Sequence, residues 1–140
     1  MSVTATEARD RLIEAAEQGH LDDELAALGV DLLGIFGSTA ARESAQVPDT
    51  EPHDLDVAAR FNGPVRLLEL IDLLVRTTGF DRVDVAVVDG NHPVLDAEAL
   101  CGIPLYEHAP GAFAEAQMAA LSHRRDTAFL RRLDLEALAG

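Results

Sequence analysis

Lysine and tryptophan are absent from this chain of 140 residues, cysteine and tyrosine occur once each, and aromatic residues make up 4% of it. With Cys101 alone, no intrachain disulfide can form, which fits a cytoplasmic protein. Cys101 follows Leu100 in an apolar context and is expected to be a buried structural thiol rather than a nucleophile. Hydrophobic content is nevertheless 48%, so the core must be built from Ala, Val, Leu and Ile. No apolar run is long enough for a membrane helix, and no basic stretch leads into an apolar one at the N-terminus, so no membrane anchor or secretory leader is expected. Internal repeats, a zinc-type cluster, a P-loop and a nucleophile elbow are also missing.

Positive charge is scarce too: 11 arginines stand against 25 acidic residues, a formal net charge of -14. Extended nucleic acid is therefore disfavoured as a partner, because affinity for it rests on cations that neutralise phosphates. A nucleoside triphosphate carried by Mg²⁺, or a basic protein, is compatible with the charge. The length suits a single domain with one core.

What the chain does contain is concentrated between Leu33 and Arg60. Val30, Leu32, Leu33, Ile35 and Phe36 form the short apolar run of a buried strand, and Gly37-Ser38 breaks it where a short helix can begin. Such a break suits phosphate, since glycine lets backbone approach a ligand and serine supplies a hydroxyl and an amide. After a polar loop come Asp54 and Asp56, with Leu55 and Val57 apolar between and beyond them, so strand alternation puts both carboxylates on one face. Their backbones would lie roughly 6.6 Å apart. At an effective dielectric near 20 the repulsion is on the order of 2–3 kcal/mol, and a divalent cation between them reverses its sign. A solvated strand edge would also hold such a pair.

Around this stretch the pattern is supportive. Residues 4–18 read as an amphipathic packing helix opened by a Thr4/Glu7 capping box, and residues 22–28 as a shorter helix closed by Gly29. Residues 39–43 suit one or two helical turns that bring Arg42 towards a triphosphate or, equally, a surface acid. Residues 44–52 read as a loop over the site, with His53 at its end. Residues 64–77 carry Val65, Leu67, Leu68, Ile71, Leu74 and Val75 at helical spacing, with Pro64 at the first position and Gly79 beyond the end. Residues 82–88 form a strand interrupted by Asp84, which either opens onto the cleft of Asp54 and Asp56 or faces water on an edge. A short helix after Pro93 leads to Gly102 and an Ile103 to Tyr106 segment. Residues 112–138 then form a long helix with Phe113, Met118 and Leu121 among its apolar positions, packed on its own domain or offered to a partner.

Phe36-Gly37-Ser38, Asp54-Leu55-Asp56-Val57-Ala58 and Val83-Asp84-Val85-Ala86-Val87, in that order, resemble the polymerase beta type nucleotidyltransferase superfamily. Within it the small size resembles the minimal nucleotidyltransferases, the antitoxin partners of HEPN-domain toxins. The likeness runs over about residues 10–107, with residues 110–138 as a helical extension of the same single domain. It implies an α+β fold, a central mixed sheet flanked by helices with a long C-terminal helix. It implies Asp54, Asp56 and Asp84 as metal and catalytic residues, Gly37, Ser38 and Arg42 as nucleotide contacts, and Mg²⁺ with ATP. The activity implied is transfer of AMP to a tyrosine hydroxyl of a HEPN toxin. A non-catalytic antitoxin subunit, and a transferase for a small molecule such as an aminoglycoside, stand as alternatives.

Overall fold

A computed structural model describes residues 2–40 and 53–139. Helices α1 (Ala5–Glu17) and α2 (Asp22–Ala27) precede strand β1 (Val30–Phe36), which ends in a 3₁₀ turn, Gly37–Thr39. Strand β2 (Leu55–Phe61), helix α3 (Leu67–Thr78) and strand β3 (Val83–Val87) follow, then helix α4 (Pro93–Ala99), strand β4 (Ile103–Glu107) and helix α5 (Ala112–Ala139). The four strands form one mixed sheet in the order β3-β2-β1-β4, with β2 and β3 parallel and β1 antiparallel to both β2 and β4. This is the expected α+β architecture, and none of its described helices is long and apolar enough to cross a membrane.

The sheet is covered on both faces, which explains why β1 reads as a nearly continuous apolar run rather than an alternating one. Val30, Leu33 and Ile35 of β1 join Leu55, Val57 and Ala59 of β2 against α1, α2 and α3. Leu32 of β1 and Ala58 of β2 face the other way, onto Leu100 after α4 and Ala112 and Phe113 of α5. Thr4 opens α1 with the expected capping box, its hydroxyl accepting from the Glu7 amide at 3.1 Å, and Ala5, Ala8 and Leu12 are turned inward. Helix α3 buries Leu70, Leu73 and Leu74, each contributing about 1.5–3 kcal/mol of burial, and Gly79 closes it at a φ of 72°.

Three sequence expectations need correction, those for Pro64, for Val65 with Leu68, and for Cys101, and α5 shows which of its faces is packed. Helix α3 opens at Leu67 with Arg66 as its cap, so Pro64 lies before it rather than at its first position. Val65 and Leu68 are exposed, at 53% and 80%, because the buried stripe runs through Leu70, Leu73 and Leu74. In α5 the inward residues are Ala112, Phe113, Ala116 and Ala120, which leaves Met118 and Leu121 on the outer side. Cys101 is exposed, since Leu100 takes the buried position at the end of α4.

Two glycines fix how the second layer meets the sheet. A Cβ at Gly34, in the middle of β1, would sit 2.8 Å from the Phe113 ring, so α5 rests directly on bare backbone. A Cβ at Gly102 would overlap the Ile35 carbonyl, so the link from α4 to β4 crosses the end of β1 in direct contact. Gly34→Ala should therefore cost about 1–3 kcal/mol, and Gly102→Ala about 3 kcal/mol or more because backbone rather than a side chain must yield. Denaturant unfolding of the two variants checks both the losses and their order.

Candidate active site

The acids gather where β1 ends and β2 and β3 begin. Asp56 is the second residue of β2 and pairs in register with Phe36, the last of β1, on one side and with Asp84 of β3 on the other. Parallel strands lie about 4.8 Å apart, which sets the Asp56 and Asp84 backbones side by side. Alternation with Leu55 and Val57 turns Asp56 to the α4/α5 side of the sheet, where Ala58 also points. Asp54 immediately precedes β2 and is exposed. Asp84 is exposed on an edge strand and adjoins Asp56 in register.

Gly37 takes a φ of 73°, in the left-handed region that favours glycine. The space its Cβ would need is held by the Asp56 carboxylate, whose Cγ would be 3.2 Å away. The turn and the central acid are thus in direct apposition, and a glycine is needed for both reasons. Gly37 and Ser38 are exposed at this edge, and the Ala40 amide closes the turn on the Gly37 carbonyl at 3.1 Å. Thr39 points inward, with a hydroxyl that finds no partner among the described residues. Arg42 and residues 44–52 lie outside the described residues, and the exposed His53 begins the described chain beyond them.

Burial raises the pKa of Asp56 above the ordinary aspartate value, and the charges of Asp84, Asp54 and Glu98, in that order, raise it further. Glu98, exposed on α4, is a member of this field that sequence reading did not find. Helical spacing gave no signal for it, because the packing of Ala99, Leu100 and Gly102 on the sheet, and not the pattern of α4 itself, brings α4 to the strand ends.

The donor set is all carboxylate oxygen, the kind that a hard cation such as Mg²⁺ takes. Among the described residues no cation offsets the field that disfavours Asp56 ionisation, and a divalent ion there would favour its charged form. Among the described residues no three such side chains are already arranged around a common point, so the acids form an electrostatic group rather than a closed cage. A hollow of about 630 Å³ lies near the other end of β2 and β3, lined by Arg60, Val88, Asp96, Leu100, Ala120 and His123 among others, and it includes none of these acids. A larger hollow, of about 770 Å³, lies between the start of α1 and the turn after α3, lined by Thr4, His53, Val75 and Phe80 among others, so size does not pick out a site; the charge and the glycine turn favour the strand ends.

The sequence matches no protein-family model and no curated protein. Solved structures do match. A toxin-antitoxin structure with AMP-PNP gives a TM-score of 0.61 at 16% identity, over 87% of this chain and 98% of the other. The toxin-antitoxin MntA-HepT gives 0.60 at 16% identity, over 92% and 98%. A tri-AMPylated Shewanella oneidensis HEPN toxin in complex with MNT antitoxin gives 0.56 at 14%, over 88% and 99%. At these identities the likeness is one of fold, extending over most of both chains, and the fold is that of MntA (MNT) antitoxin structures solved with HEPN toxin.

The raised pKa of Asp56 has a consequence for stability. A carboxylate that holds its proton more tightly when folded destabilises the native state as pH rises from the unfolded value of about 3.8 through the folded one. Asparagine mimics the protonated acid at every pH. In metal-free buffer Asp56→Asn should equal the parent near pH 3 and exceed it in Tm at neutral pH, with the difference opening above pH 4; thermal melts across that range check it.

Proposed function

We propose that this chain is a Mg²⁺-dependent nucleotidyltransferase that moves AMP from ATP to a tyrosine hydroxyl of a cognate HEPN-domain toxin and so acts as its antitoxin. The observation that carries this reading is the direct apposition of the Gly37-Ser38 turn and the Asp56 carboxylate, with Asp54 and Asp84 beside it. Support comes also from the fold shared with structures described as containing AMP-PNP and a tri-AMPylated HEPN toxin.

Asp54, Asp56 and Asp84 would hold Mg²⁺, which when bound would neutralise the triphosphate and polarise its phosphoryl oxygens. Gly37 and Ser38 receive the distal phosphates, with Arg42 as a further contact from the segment beyond. Asp84, exposed on the edge strand, orients the acceptor hydroxyl and draws its proton. The hydroxyl oxygen attacks the α-phosphorus, the bond to the bridging oxygen breaks, and pyrophosphate leaves. Such in-line displacement needs positioning and charge neutralisation and little covalent help from the protein.

A non-catalytic antitoxin subunit is the second reading, favoured by the absence of a ready-formed ion cage among the described residues. Incubation with Mg²⁺, α-labelled ATP and the HEPN-domain product of a neighbouring gene separates the two by intact mass. AMP should appear on the partner, and Asp56→Asn should lower transfer by more than the roughly 10- to 100-fold typical of losing an outer-shell group, with complex formation retained. A stable complex with no transfer from any of the four nucleoside triphosphates would establish the second reading.

A further inference from the structure

The phosphate turn is held from behind by a side chain on a helix that sequence reading treats as packing alone. Arg9 of α1 is buried to the point that 14% of its side chain is exposed, and its Nη1 donates to the Thr39 carbonyl at 3.1 Å. The guanidinium is itself oriented by its neighbour, since Nε and Nη2 both reach the Asp10 Oδ1, at 3.0 and 2.9 Å. Burying an arginine is expensive, and a well-packed apolar residue on this helix would serve the core as well or better. Its placement calls for another explanation.

The Thr39-Ala40 peptide supplies one. It is planar, so its carbonyl and amide move together. The carbonyl accepts from Arg9 while the amide donates to the Gly37 carbonyl at 3.1 Å. One peptide plane, clamped on both sides, therefore keeps two carbonyl oxygens occupied within the protein. An unclamped turn could swing either oxygen, with its partial negative charge, towards a phosphate. The clamp acts on the turn that packs against Asp56, and α1 is a stable platform for it, tied down by its capping box and by buried Ala5, Ala8 and Leu12.

We propose that Arg9, oriented by Asp10, is a positioning residue that presets the Gly37–Thr39 turn for a nucleoside triphosphate. The proposal rests on the reading of that turn as a phosphate cradle. Arg9 touches no reacting atom, so its loss should weaken nucleotide binding and leave the chemical step alone.

Titration calorimetry of the full-length chain with Mg²⁺ and AMP-PNP tests this without requiring turnover. Arg9→Met should weaken AMP-PNP binding about tenfold, as expected for one lost charge-assisted hydrogen bond, and Arg9→Lys should recover part of the loss. In the transfer assay the KM for ATP should rise by a similar factor with kcat within about threefold, a split that general loosening of the core would not give. Amide exchange at Ala40 should quicken in Arg9→Met without nucleotide. Should Arg9→Met fail to fold, Asp10→Asn decides, with a loss of about twofold to threefold expected because the guanidinium keeps an amide acceptor and loses the opposite charge that holds it. Parental affinity in a folded Arg9→Met, or in Asp10→Asn where that variant decides, overturns the proposal and leaves the cradle intact. Failure of the parent protein to bind AMP-PNP overturns the cradle, and the positioning role falls with it.

Discussion

Repulsion of Asp56 by Asp84, Asp54 and Glu98, added to its burial, is the constraint on which the candidate site turns. Asp56 is partly withdrawn from water at one end of the sheet, and the three other carboxylates act on it from around that end. Left to themselves such groups would splay apart or take up protons. The fold holds them through backbone: Asp56 is locked between Phe36 and Asp84 by the strand ladders, and the close passage of Gly102 over the end of β1 sets α4, which carries Glu98, beside the strand ends. Because β1 and β2 are buried on both faces, the strand ends cannot yield without disturbing the core. Charge strain is therefore kept at the edge of the sheet, where the proposed metal–triphosphate would relieve it.

The same constraint accounts for the glycines. Gly37 is needed because the Asp56 carboxylate occupies the place of its side chain, and Gly34 and Gly102 let the second helical layer lie against bare strand. Seen from the phosphate turn, the platform is two-sided. The acids lie in front of it and, on the other side, Arg9 of α1 grips the Thr39 carbonyl. A chain with 11 arginines and a net charge of -14 places one of its few cations, largely buried, directly behind this turn.

Features set by local spacing were legible in the sequence. The Thr4 capping box, Gly79 at the end of α3, the buried run of β1 and the alternation of Asp54 and Asp56 with Leu55 and Val57 all follow from residues within a few positions of one another. Features set by how one layer lands on another were not. Helical periodicity counted Val65 and Leu68 as inward, and the choice of packed face leaves them outside. Cys101 looked buried from its neighbours and is exposed, because the turn after α4 points Leu100 inward instead. Glu98 and Arg9 join the site only through contacts between residues 30 or more positions apart, which no single-sequence pattern reports.

The account stands on the claim that the strand-end acids hold a divalent ion together with a nucleotide, and Mn²⁺ binding followed by electron paramagnetic resonance tests that claim most directly. Asp84 is exposed, so Asp84→Asn should leave the fold unchanged and make a clean comparison. The parent protein should take up Mn²⁺ tightly in the presence of AMP-PNP, and Asp84→Asn should release most of it at the same concentrations. Equal Mn²⁺ uptake by the two, or none by either, would contradict the account and remove the metal from the strand ends.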